Sequence, residues 1–399
     1  MNSTIRKILR RKAYILAAFS LFSSGEAFAN YAYVTYVANL SSSSNSVSVI
    51  NTADNLVIAT VSTGTNPYAL AITPNASYVY VANEGSRNVS VIQTSTNTVI
   101  ATVIVGTNSS DVEINSNGTY AYVVNQYVSG SNGSISVIQT STNSVIATIT
   151  VGEIPQNIAI STIAPYAYVT NRGDGFSNSN VSVINTSTYQ VTATVGVGIY
   201  PTSIKVTAIG NYVYVANYNS NTVSAINTST NGVTTINAGR APSDIAITPD
   251  SQYVYVNNRN DNKISVIQTS NNTVIATLLV GNNPEAVAIS PNGAFAYTLP
   301  NLGVSVISTS TYIVEGIIVP GGDFQELAIT PDSNFVYMTN LFAGSVSVLK
   351  TSNNTVIATV KVGSFPASIA ITPVKIRVPT PPTPEPVNNR AFERGAWIR

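Results

Sequence analysis

The chain has 399 residues, only 9% of them charged, and its formal net charge is +1, so composition offers no electrostatic case for nucleic acid or an anionic membrane as partner. It contains no cysteine and no histidine. Disulfides and thiolate metal sites are thereby excluded, and the usual general base, nucleophile activator and commonest metal ligand are missing.

Residues 1–29 read as a secretory signal peptide. Arg6, Lys7, Arg10, Arg11 and Lys12 precede an apolar run from Ala13 to Phe22, and Ala27-Phe28-Ala29 supplies a small-x-small cleavage pattern. The run is too short for the ~20 residues of a spanning helix. The expected mature protein is therefore exported, to the periplasm, the cell surface or the medium, with no membrane insertion.

From residue 30 onward the chain is a repeat. The clearest copy runs from Pro67 to Val105 as Pro67-Tyr-Ala-Leu-Ala-Ile-Thr-Pro, Tyr78-Val-Tyr-Val-Ala-Asn, Asn88-Val-Ser-Val-Ile-Gln-Thr and Thr98-Val-Ile-Ala-Thr-Val-Ile-Val. These are four short β-branched runs closed by Pro, Gly, Asn or Ser, which is four strands joined by turns. The unit returns at intervals of about 40–46 residues, the length of a propeller blade. Its second strand reappears as Tyr122-Val-Val-Asn125, Tyr168-Val-Thr-Asn171, Tyr214-Val-Ala-Asn217, Tyr255-Val-Asn-Asn258 and Tyr337-Met-Thr-Asn340, with Tyr297-Thr-Leu-Pro-Asn301 as a looser copy. The motif asparagine is expected to end its strand by bonding its own backbone.

The two ends complement each other. Val34-Thr-Tyr36-Val-Ala-Asn39 aligns with the second strand Tyr78 to Asn83, so the array opens without a first strand. It closes on Pro366-Ala-Ser-Ile-Ala-Ile-Thr372, a first strand without the other three. Pairing them makes an all-β propeller of four-stranded antiparallel blades, eight by this count and seven if the copy around Tyr297 fails to form its own sheet. Residues 30–376 form that domain, and residues 377–399 a proline-rich tail around Val378-Pro-Thr-Pro-Pro-Thr-Pro.

The Tyr-Val-x-Asn signature, with Val-Ser-Val-Ile, Val-Ile-Ala-Thr-Val and Ile-Ala-Ile-Thr-Pro around it, resembles the YVTN family of β-propeller repeat proteins. The resemblance covers about Val34 to Pro373 and implies an exported or surface-layer-like propeller, since the family is largely non-enzymatic or uncharacterised. Propellers of similar architecture include lactonases and lyases.

Alternating strand direction puts the loops before each first strand and after each second strand on one face. The opposite face carries uniform turns such as Thr73-Pro-Asn-Ala and Gln93-Thr-Ser-Thr-Asn97, whereas the first face varies and holds most of the charge. Near the axis the expected interaction residues are Asp111, Glu113, Lys205, Arg240, Asp244, Glu285, Asp323 and Glu326, with Glu84 and Asp261 further out. Glu113 and Lys205 stand in a slot that is alanine at 71, 159, 246, 288, 328 and 370. A charge there must reach the channel, pair, or cost several kcal/mol.

Function is expected to be non-catalytic: a monomeric protein-binding or glycan-binding surface module with no cofactor, calcium or an amine-bearing partner being the candidate cation at the acidic mouth. The alternative is a lactonase-like hydrolase or lyase using the mouth carboxylates. Two local motifs add little: Arg172-Gly-Asp174 is common by chance, and Asp174 with Asn178 and Asn180 lacks the carboxylate count of a calcium loop.

Overall fold

The computed structural model describes residues 28–36, 45–127, 130–177, 179–373 and 376–377. The expected signal peptide up to residue 27 and the tail beyond residue 377 lie outside the described residues. The body from Ala29 to Ile376 contains eight four-stranded antiparallel sheets and a single-turn 3-10 helix, Arg259–Asp261. This is an eight-bladed β-propeller. No helix among the described residues is long and apolar enough to cross a membrane.

Blade 1 closes the ring. Its inner strand is Pro366–Ile371, paired with Tyr31–Tyr36, then Ser46–Asn51 and Leu56–Ser62. The inner strands of blades 2 to 8 are Pro67–Ile72, Ser109–Ile114, Pro155–Ile160, Pro201–Val206, Pro242–Ile247, Val287–Ile289 and Phe324–Ile329. The divergent copy around Tyr297 does form its own sheet, blade 7, so the ring has eight blades and not seven.

One alignment needs correction. Tyr33, not Tyr36, stands opposite Ala370, so the first second strand starts three residues earlier than the motif Tyr36-Val-Ala-Asn39 suggests. The stretch Tyr31-Ala-Tyr-Val-Thr-Tyr36 offers two overlapping tyrosine registers. An odd slip reverses every side chain, and the register that forms is the one that sets a ring over the small alanine slot.

The core lies between blades. Tyr33, Tyr80, Tyr122, Tyr168, Tyr214, Tyr255, Tyr297 and Tyr337 all have almost no exposure and occupy one position of the second strand. Each faces the same slot of the inner-strand repeat, from Ala71 opposite Tyr80 through Ala288 opposite Tyr297 to Ala328 opposite Tyr337. A bulky ring and a small residue fill one layer together. Val, Ile and Leu of the first, second and third strands complete clusters that each span two blades, such as Val89, Val91, Val112, Val123 and Ile138.

Candidate functional site

Inner strands run beside the axis with one edge open to the channel, so their free N–H groups need partners. Position 3 of the inner strand supplies several in the three blades where it is acidic, at Asp111, Asp244 and Glu326. Asp111 accepts the N–H of Val112 at 2.8 Å and that of Ile158, in the next blade, at 3.1 Å. Asp244 accepts the N–H of Ile245 at 2.8 Å, the Ser203 hydroxyl at 2.8 Å and the N–H of Val287 in the next blade at 2.9 Å. Glu326 accepts the N–H of Ile369 in blade 1 at 3.3 Å. Position 2 hydroxyls run the complementary way: Ser110, Thr202 and Ser243 donate to the carbonyls of Gln156, Pro242 and Pro284 at 3.0, 3.1 and 2.9 Å. These carboxylates thus stitch neighbouring blades.

Three cavities follow one another along the axis. The mouth, about 660 Å³, is lined by Tyr68, Glu84, Asp111, Asp244, Glu285 and Glu326 among others. A middle cavity of about 550 Å³ shares Asp111, Asp244 and Glu326 with the mouth and adds Lys205. The lower one, about 290 Å³, shares Lys205 and adds Glu113. Both loop sets of the variable face meet at the mouth, since in blades 2 to 6 and 8 the chain leaving the second strand bonds back to the residue before the inner strand, as Glu84 N–H does to the Asn66 carbonyl at 2.9 Å.

Burial in the channel sets the electrostatics. Desolvation, reinforced by Asp111, pushes Glu113 up to about 8 against the pull of Lys205 and the Ile160 N–H. Desolvation likewise takes Glu326 up to about 7, opposed by Ser368 and the Ile369 N–H. Asp111 is raised by burial despite its backbone hydrogen bonds. Desolvation pulls the Lys205 ammonium down, but Asp244, Glu113, Asp111 and Glu326 together outweigh it and leave its pKa raised.

Of the residues expected near the axis, Asp111, Asp244, Glu285 and Glu326 share the mouth, with Lys205 below them and Glu113 lower still. Arg240 does not join them. Its side chain is 69% exposed and pairs with Asp261 at 2.6 Å, because the loop after the same blade's second strand supplies the counter-ion. Glu285 reaches the mouth but is held by Arg259 at 2.8 Å. Asp323 lines none of the three cavities. Glu84, placed further out by the sequence pattern, lines the mouth.

Tyr68 escaped the sequence reading. It is the second residue of its inner strand, 49% exposed, with its phenol pKa raised by burial and by Glu84, Glu326 and Asp111. Comparing position 2 across the repeats, where the other blades carry Ser, Gln, Thr, Glu or Ala, would have singled it out.

Among the described residues no three carboxylates are grouped closely enough to hold a metal ion. The Asp174 loop is self-satisfied, its carboxylate accepting the N–H groups of Phe176 and Ser177 at 2.9 and 2.6 Å, while Asn178 lies outside the described residues. Arg172 stacks on Tyr200 at 4.8 Å, which removes it from any presented Arg-Gly-Asp tip.

The fold and channel define the class: an eight-bladed β-propeller with an acid-lined axial channel. A family model described as lactonase, seven-bladed β-propeller, matches residues 227–300, from the end of blade 5's third strand to just past blade 7's second strand. No curated protein matches the chain. Among solved structures it is similar to the dihydro-heme d1 dehydrogenase NirN in complex with DHE, with a TM-score of 0.71 at 13% identity over 89% of this chain and 78% of that one. It is also similar to hydrazine synthase of Kuenenia stuttgartiensis, with a TM-score of 0.56 at 21% identity over 66% of this chain and 90% of that one. A functionally unknown protein from Desulfotomaculum acetoxidans DSM 771 has a TM-score of 0.58 at 16% identity, over 86% and 98% of the two chains. At these identities the likeness speaks for the fold.

Proposed function

We propose that the protein is an exported, monomeric, non-catalytic binding module, of the kind its Tyr-Val-x-Asn repeats resemble, which receives a partner at the channel mouth. The observation that carries this reading is the mouth cavity of about 660 Å³, walled by the loops that vary between blades and by the exposed Tyr68 ring. Rigid scaffolds commonly carry recognition on such loops. Asp111, Asp244 and Glu326 are engaged by backbone N–H groups of the next blade, which supports a structural rather than a proton-transfer role for them. Labelled protein added to intact host cells is expected to bind, and Tyr68→Ala with Glu84→Gln to reduce binding at least about tenfold, a loss of about 1.4 kcal/mol. Unchanged binding by that double variant would sink the reading.

A second reading, a lactone hydrolase, is favoured by the match to the lactonase model over residues 227–300. Glu113 and Glu326, pushed up to about 8 and about 7, would be its proton donors. Turnover of a lactone panel that is abolished by Glu326→Gln would establish it over the first.

A further inference from the structure

Glu113 and Lys205 hold the same position in their blades, opposite Tyr122 and Tyr214, where the other six blades carry alanine. Six alanines show that the blade needs no charge there. Lys205 opens into the lumen between the middle and lower cavities. Among the described residues it forms neither a hydrogen bond nor an ion pair of its own, the two ion pairs being those of Arg240 and Arg259. Its ammonium instead feels the charges of Asp244, Glu113, Asp111 and Glu326, which come from three different strands, and it shares the middle cavity with Asp111, Asp244 and Glu326.

The carboxylates are spread out. Asp111, Asp244 and Glu326 each spend acceptor capacity on neighbouring N–H groups, and among the described residues no three carboxylates converge as a compact divalent ion requires. A primary ammonium suits such a ring better, because it brings three donors on a flexible stem and tolerates distant acceptors. We propose that the middle of the channel is an alkylammonium site which the chain fills with its own Lys205. The side chain is a tethered ligand, and the seat left for any outside partner is the mouth above it. This holds whether or not the mouth binds a partner.

Chemical complementation tests it. Lys205→Ala removes three carbons and the ammonium, the skeleton of n-propylammonium. The variant is expected to melt lower than the parent by on the order of 5 °C. n-Propylammonium chloride should raise the melting temperature of the variant in a saturable manner and leave that of the parent unchanged, as binding to the native state requires. Sodium, calcium and tetramethylammonium chlorides at equal ionic strength should not substitute. A variant that melts like the parent, or responds equally to all four salts, overturns the proposal. Should Lys205→Ala not fold alone, refolding in n-propylammonium must recover the β-sheet far-ultraviolet spectrum, and failure in every salt also overturns it. Lys205→Met, which plugs the space with an apolar chain, should melt lower and gain nothing from the amine.

Discussion

Among single residues, the second-strand tyrosine does more than fill space in four blades. The hydroxyls of Tyr33, Tyr80, Tyr214 and Tyr337 donate to Asn97, Asn143, Asn272 and Asn55 at 2.9, 2.7, 2.6 and 2.6 Å. Each asparagine belongs to the third-to-outer hairpin of the next blade and sits at positive φ, from 51° to 59°, a conformation asparagine tolerates. Tyr189 and Tyr312 replace that asparagine in blades 4 and 7, and the hydroxyls facing them, of Tyr122 and Tyr255, are buried without a good acceptor. The pair of phenylalanine variants should therefore differ. Tyr214→Phe is expected to cost about 1 kcal/mol, whereas Tyr255→Phe should be neutral or stabilising, since an unpaired buried hydroxyl carries a penalty of about 1–3 kcal/mol. Tyr214→Ala should cost ~3–5 kcal/mol. Denaturant melts of the three check the order, and equal losses in both Tyr→Phe variants would contradict the strap.

Between elements, glycine and asparagine explain each other. Asn217 bonds the Ser224 and Thr222 hydroxyls at 2.9 and 3.2 Å rather than its own backbone, which corrects the expectation for this motif asparagine, whereas Asn125 and Asn171 do reach carbonyls of their own strands, at 3.4 and 3.5 Å. It packs on Gly198 of the preceding connection, where a Cβ would lie 2.8 Å from the Asn217 Cβ and Cγ. Gly106, Gly152 and Gly239 meet Asn125, Asn171 and Asn258 in the same way. Gly196, two residues before Gly198, faces open space: a Cβ there would have nothing within 4 Å. Gly198→Ala is thus expected to cost about 1–3 kcal/mol by overpacking, and Gly196→Ala to be neutral or slightly stabilising. Thermal melts of the two variants make the comparison, and equal effects would refute the packing argument. The outer strands show a different device. In seven blades the ladder shifts register there, leaving residues such as Ile58, Ile100, Ile146, Ile275 and Ile357 at the bulge and exposed. In blade 5 the outer strand, Val233–Ile236, is only 4 residues long. Bulged or short edges resist edge-to-edge pairing, which a chain with so few charges cannot prevent by repulsion.

For the whole ring, closure depends on one six-residue strand. Pro366–Ile371 pairs with Tyr31–Tyr36, and Thr372 is tied to the N-terminal arm through the Tyr31 N–H at 3.0 Å. Truncation before Pro366 opens a sheet edge and uncovers Tyr33, so the loss should be on the order of 5 kcal/mol or more. A truncated protein melting with the parent would exclude this closure. The channel imposes a pH dependence as well. Glu113 and Glu326 sit at about 8 and about 7 in the native state against an ordinary 4.5, so the native state keeps protons that the unfolded chain releases. Their contribution is fully present below about pH 4.5 and is lost as pH rises to about 8. Melting temperature should therefore fall between pH 5 and pH 8. Glu113→Gln with Glu326→Gln should flatten that slope, and an unchanged slope would show that these two groups do not set it.

Strands, blade and blade number were all legible in the chain alone. Each follows from short-range patterning repeated eight times, and the complementary ends required the ring to close. The pattern also singled out Glu113 and Lys205, because a repeat supplies its own internal comparison. How charges from distant blades are spent became visible only once the ring was assembled. Arg240 and Glu285 look axial along the chain, yet Asp261 and Arg259 claim them. Asp111 and Asp244 look free, yet each accepts an N–H from the next blade, 47 and 43 positions along the chain. The local pattern at the N-terminal strand points to the wrong register, that of Tyr36, for the same reason: Tyr33 fits it as well, and only Ala370, brought round from the far end of the chain, distinguishes them.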